Sequence, residues 1–187
     1  MEIAHESDFE SLKFEAQCPT GLGRTPPHLD VLAVSRDAVV AIESKCLEFL
    51  RIKRAVFSKS YDGISDARAS SPVFKLIPHL RENAEKFRRL DVAQLVKHYP
   101  GLKTSWPDKR ITLLYIYWEP KNANSFPQFM EHQTEINRFC ELVRGGSTLW
   151  FQSACHRSLW AQWESGAKPE WLKDHVFELR RRYDVLV

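Results

Sequence analysis

Apolar and polar positions alternate with a period of two from Leu12 to Gln17, LKFEAQ, with Leu12, Phe14 and Ala16 on one side and Lys13, Glu15 and Gln17 on the other. That pattern predicts a half-exposed first strand. The polar residues before it, with Ile3 and Phe9 as their only large apolar positions, predict a short helix. The stretch PTGLGRTPP then interrupts all regular structure with two glycines and three prolines. It delivers the chain to Pro27–Lys45, PHLDVLAVSRDAVVAIESK, which reads as two strands folded about Arg36 and Asp37. A two-residue turn there makes paired positions sum to 73, so Val34 faces Val39, Leu32 faces Ala41 and Asp30 faces Glu43.

Beyond Lys45, CLEFL reads as a continuation of the strand, and the polar stretch from Ser58 to Ser71 as a loop beside the hairpin's end. From Ile77 to Tyr99 the spacing of Phe87, Leu90, Ala93, Leu95, Val96 and Tyr99 predicts a helix, closed by Pro100 and Gly101. The run ITLLYIYW from Ile111 to Trp118 predicts a strand buried on both faces. A helix from Phe129 to Val143 follows, with Phe129, Ile136, Phe139, Cys140 and Val143 inward and Gly145 and Gly146 at its end. A strand around Leu149–Ala154, a short aromatic-rich helix, and a last helix within Trp171–Val187 packed through Phe177, Leu179 and Tyr183 complete the reading.

Composition narrows the class. With 187 residues, 43% hydrophobic and 27% charged, the chain is one folded domain rather than a disordered segment. A net charge of +3 says little, but the bases are grouped: Arg51, Lys53, Arg54 and Lys59; Lys86, Arg88, Arg89, Lys97, Lys103, Lys109 and Arg110; and Arg180, Arg181 and Arg182. Any one such run is ordinary solvated surface; together, flanking an acidic site, they suit a polyphosphate. Four scattered cysteines without a CxxC pair point to reduced thiols and a cytoplasmic protein, and no apolar run reaches the roughly 18 to 20 residues of a membrane span.

The hairpin carries the chemistry. Opposed strand residues have Cβ atoms roughly 4.5 to 5.5 Å apart, where two like charges repel. Asp30 against Glu43 therefore calls for a hard divalent cation, and Mg²⁺ takes one or two carboxylates while keeping waters and room for a phosphate. Lys45 shares the face of Glu43 and stands where it can orient or deprotonate an attacking water. His28 shares the parity of Asp30 and lies at the edge of that face. On the following helix Gln94, Lys97 and His98 stand at i, i+3 and i+4, a polar stripe. The tryptophans, Trp150, Trp160 and Trp163 among them, read as packing residues, and His79, His132 and His175 as solvent-facing or capping. A hydrolase built on Cys155 and His156 is disfavoured, because neighbours on a strand point opposite ways.

P-x-x-D, twelve intervening residues and E-S-K, set in the order helix, strand, hairpin, helix, strand, resembles the PD-(D/E)XK nuclease superfamily over Leu12 to Trp118. The resemblance implies an α/β restriction-endonuclease-like core, a mixed central β-sheet flanked by helices, with accessory C-terminal helices over 119–187 of a single domain spanning 1–187. It implies that Asp30 and Glu43 bind Mg²⁺, for which Mn²⁺ can substitute, with the Ser44 carbonyl as a further ligand, and that Lys45 is the catalytic lysine. LDVAQLVKHYPGL resembles the helix after E-x-K in some bacterial members, which makes Gln94 a catalytic candidate and Lys97 and His98, with His28, substrate-binding candidates. The proline stands two residues further from the aspartate than the family pattern has it, and the first helix is short, leaving Glu6, Glu10 or Glu15 to supply any additional carboxylate. The implied activity is metal-dependent phosphodiester hydrolysis on nucleic acid, with DNA first. The alternative is a non-catalytic nucleic-acid-binding or assembly subunit of the same fold, and assembly as a homodimer or in a larger complex stays open.

Overall fold

A computed structural model describes residues 9–22, 26–62, 72–144, 149–165 and 169–187. Five strands, β1 (Ser11–Gln17), β2 (His28–Val34), β3 (Ala38–Lys45), β4 (Arg110–Tyr117) and β5 (Leu149–Cys155), form one sheet in chain order. The pairs β1–β2 and β2–β3 are antiparallel, while β3–β4 and β4–β5 are parallel. The helices are α1 (Pro72–Glu82), α2 (Val92–Ser105), α3 (Pro127–Arg144), α4 (His156–Glu164) and α5 (Glu170–Tyr183). This mixed sheet with flanking helices is the α/β architecture expected of a restriction-endonuclease-like fold. Among the described residues no helix is long and apolar enough to cross a membrane.

The hairpin has the expected register, with Val31 opposite Ile42, Leu32 opposite Ala41, Ala33 opposite Val40 and Val34 opposite Val39. Its turn closes through Ser35 N–H donating to the Ala38 carbonyl at 2.9 Å. Register places Leu32, Val34, Val39, Ala41, Ile111 and Leu113 on one face, all buried. α2 packs over β4 and α3 over β5, so the two crossovers place their apolar stripes on this side. The buried cluster that results includes Leu95, Val96 and Tyr99 of α2 and Ile136, Phe139 and Val143 of α3.

Several expectations change. β1 is an edge strand whose apolar side is largely uncovered: Leu12 and Phe14 are 58% and 71% exposed and only Ala16 is buried. CLEFL does not extend β3. The Glu48 carboxylate accepts from Cys46 N at 2.7 Å and Leu47 N at 2.9 Å, which bends the chain into the short helical turn Glu48–Leu50. The helix expected over Ile77–Tyr99 is two helices, separated by a turn at Ala84–Lys86 and an extended stretch in which Phe87 and Leu90 are buried. Asp91 starts the second by capping it, its side chain accepting from Gln94 N at 3.0 Å.

Nor do Pro100 and Gly101 end that helix, which runs on to Ser105. Gly101 answers to a different demand: a Cβ there would lie 2.3 Å from the Cys18 carbonyl oxygen, so the helix approaches the loop after β1 only because the side chain is missing. On α5 the inward residue is Val176, while Phe177 is 66% exposed, and Trp150 and Trp163 are likewise exposed rather than core. His132 is buried, not solvent-facing, with the Tyr115 hydroxyl 2.9 Å from its Nε2 and its ring stacked on Phe49. The expected first helix falls mainly on residues 1–8 and most of the polar loop on 63–71, both outside the described residues.

Candidate active site

The antiparallel ladder of the hairpin stops at Val31 and Ile42, and the next position on β2 is Asp30. Its carboxylate takes over the backbone role, Oδ2 accepting from Ser44 N at 2.6 Å, so side chain and strand end are locked together. Glu43 lies on the helix-covered face and is 1% exposed. Burying a carboxylate costs several kcal/mol unless donors surround it, and three donors do. Lys45 Nζ stands 2.5 Å from Oε1, Gln94 Nε2 donates to Oε1 at 2.7 Å, and His98 Nε2 lies 3.1 Å from Oε2. A carboxylate oxygen accepts, so Nε2 of His98 carries the hydrogen; its Nδ1 is buried and has no hydrogen-bond partner among the described residues.

The Asp91 cap determines which α2 residues reach Glu43. With the helix starting there, Gln94 and His98, one turn apart, project onto the sheet. Lys97 does not: its ammonium donates to the Val56 carbonyl at 2.9 Å and sits 5.7 Å from the centre of the Phe57 ring. The expected stripe is thus divided. His98 faces Glu43 rather than a substrate, being wholly buried, and Lys97 faces the loop after β3.

Electrostatically the cleft is mixed, with Glu43, Glu48 and Asp91 set against Lys45, Lys53 and Arg89. Burial disfavours the Lys45 ammonium, yet its bond to Glu43 and the fields of Glu43, Asp30 and Glu48 outweigh that and raise its pKa above the ordinary lysine value. Lys45 is thus an ammonium paired with Glu43, placed to orient a group or stabilise charge at the strand end. Glu48 and Asp91 line the same cleft, a cavity of about 20 Å³ that also meets Lys53, Arg89 and Tyr115. Neither acid stood out in the sequence. Their signals are local: Asp91-x-x-Gln94 has the form of a capping box, and Glu48 falls where the strand pattern lapses.

The donors present fit a hard divalent cation in kind, since Asp30 and Glu43 offer carboxylate oxygens on adjoining strands. Among the described residues no group of three His, Cys, Asp or Glu side chains is placed to hold a metal ion. Of the extra acids, Glu15 lies between the pairs Phe14–Val31 and Ala16–Leu29, directly across from Asp30, with φ of 49° and its side chain exposed. A positive φ at a strand glutamate is a strained conformation that marks the position. Glu10 is excluded by direction: β1 runs antiparallel to β2, so Glu10 bonds the Val34 carbonyl at 2.8 Å, at the other end of the strand from Asp30. Glu6 lies outside the described residues. His28 is exposed at the start of β2, paired with Gln17. All four cysteines are free, and the His156 ring stacks on Trp160.

No curated protein and no solved structure matches the chain. One family model does, Restriction Endonuclease associating with ARP, over residues 1–184 of the 187. A match of that extent, on a chain whose mixed sheet brings Asp30, Glu43 and Lys45 to one strand end, shows that the protein belongs to this restriction-endonuclease-like family.

Proposed function

We propose that the protein is a metal-dependent nuclease that hydrolyses phosphodiester bonds, with DNA as its first substrate class. The single observation that carries the reading is the hairpin end, where Glu43 is buried among Lys45, Gln94 and His98 and the adjoining Asp30 is tied to Ser44 N. Asp30 and Glu43, with the Ser44 carbonyl, would hold Mg²⁺ or Mn²⁺, which when bound supplies charge for the phosphodiester and a more acidic water. Lys45, held as an ammonium, places its charge against the substrate phosphate and positions the water. Gln94 and His98 fix the Glu43 carboxylate so that its oxygens do not have to reorganise during the reaction. The family description, with its association to ARP, supports work within a larger assembly.

The test is cleavage of plasmid, linear duplex and single-stranded DNA with Mg²⁺ or Mn²⁺, comparing wild type with Lys45→Ala and Asp30→Ala. Each substitution is expected to lower the rate about 10²-fold or more, the scale for removing a group aimed at developing charge. Equal rates in all three proteins would remove the assignment.

A second reading, a nucleic-acid-binding or assembly subunit without turnover, is favoured by the engagement of both Glu43 oxygens with protein donors. It expects salt-sensitive DNA binding without cleavage. Calorimetric titration with Mg²⁺ separates the two: binding by wild type that is lost in Glu43→Gln supports the nuclease.

A further inference from the structure

The edge of the sheet that carries Lys45 also opens a second, larger concavity. Lys45, Tyr117 and Cys155 are in register across the three parallel strands, so the residues that follow them, Cys46, Trp118 and His156, leave the sheet side by side. They floor a groove of about 540 Å³ walled by Leu47, Trp160, Trp163 and Tyr183, within the 300 to 1,000 Å³ usual for ligand sites. The groove begins at Cys46, the residue after the proposed catalytic lysine, and lies beside the Lys45 cleft with a separate set of lining residues.

Its surfaces are flat and aromatic, and cations lie against them. The His156 ring is parallel to Trp160 at 5.9 Å and 8°, and the Arg180 guanidinium sits 5.8 Å from the centre of that indole. Arg182 is 5.2 Å from the centre of the Tyr183 ring. The walls are held in place: Trp118 N donates to the Lys45 carbonyl at 2.9 Å, and its indole N–H to the Tyr183 carbonyl at 2.9 Å. Yet Trp163 and Tyr183 remain 38% and 42% exposed and Leu47 54%, aromatic and apolar area that no described element covers.

We propose that this groove receives unstacked bases of a single-stranded nucleic acid, running on from the phosphate bound at Lys45. The proposal rests on the nuclease reading for its direction. Bases in a duplex are stacked on one another and present only their edges, whereas a single strand offers both faces of each ring to aromatic side chains and its phosphates to arginines. Trp163 and Tyr183 offer exposed rings, and Arg182 stands beside Tyr183 at the groove's margin, while Arg180 is held by Glu164 at 2.7 Å and by Asp184 at 3.4 Å; exposed rings next to a phosphate site suit that substrate. The chain would then act on single strands or on splayed ends and junctions.

The experiment uses the full chain with native Lys45, in chelator without divalent ion, titrated at fixed salt with fluorescein-labelled oligothymidylate and with a blunt duplex of equal length. The oligothymidylate is expected to quench tryptophan fluorescence and to bind more tightly than the duplex. Trp163→Ala should weaken it roughly 5- to 100-fold, the scale of one lost base stack, with Trp163→Phe recovering most of the loss and duplex affinity changing less than twofold. Leu47→Glu, at an exposed position, should weaken it in the same direction without touching the core. Equal weakening of both ligands, or none, overturns the proposal, as does quenching by an apolar peptide but not by oligothymidylate. The two readings fail separately: groove-dependent binding in a chain that never cleaves removes the nuclease and keeps the groove, while undiminished cleavage of single strands by Trp163→Ala removes the groove and keeps the nuclease.

Discussion

Glu43 is a charge taken almost wholly out of water, and its neighbours show how such a charge is kept. Lys45 supplies the opposite charge, while Gln94 and His98 supply directional donors from a different element. Removing one donor from a buried carboxylate leaves the desolvation cost in place and takes away the compensation. His98→Ala is therefore expected to destabilise the fold by about 2–4 kcal/mol, from the lost bond together with the cavity left by a ring that is wholly buried; urea unfolding measures it. The positions of Asp30, Glu43 and Lys45 followed from strand parity, which needs only the turn to be located. The role of His98 did not, because the direction of a helical side chain depends on where the helix starts and on what lies beneath it.

Elements in this chain are joined by side chains that serve backbone groups. Glu135, buried on α3, accepts from three successive amides that lead into α2: Arg88 N at 2.9 Å, Arg89 N at 2.7 Å and Leu90 N at 2.7 Å. Bonds to a charged acceptor contribute about 1.5–3 kcal/mol each at most, and amides left unpaired in the interior cost more than the bond was worth. Glu135→Ala should thus lower stability by about 3 kcal/mol or more, and Glu135→Gln by about half as much; denaturant midpoints check both. The staple holds α2, and so Gln94 and His98, in place over the sheet. Read from the sequence, Glu135 is one polar position on an amphipathic helix, since nothing local marks a contact spanning about 45 residues. The Asp91 cap differs in leaving a local signal, Asp91-x-x-Gln94, although the apolar spacing around it reads as one continuous helix.

For the whole molecule, the buried aromatic layer between sheet and α3 sets an acid limit. Burial, and then the charge of Arg89, hold the His132 imidazole down to about 3 from an ordinary 6.5, consistent with an unprotonated Nε2 accepting from the Tyr115 hydroxyl. Between those values the unfolded chain takes up a proton that the native state refuses, so stability falls as the pH falls through that window. At about 1.4 kcal/mol per unit, the loss from pH 7 to pH 5 should be about 2 kcal/mol. Urea midpoints across that range test it, and His132→Gln should flatten the slope. The depressed pKa of His156, also due to burial, acts in the same direction. By itself the sequence determined what local periodicity controls: the strands and their hairpin register, the placing of two carboxylates and a lysine at one strand end, and the apolar stripe of α3. Only the tertiary structure decided which helix residues turn to Glu43, that Glu10 lies at the wrong end of β1, that Leu12, Phe14, Trp150 and Trp163 stay exposed, and that Trp118, His156 and Tyr183 meet beside Lys45. The reason is physical: alternation and capping act over a few residues, whereas burial and convergence depend on which surfaces remote segments cover.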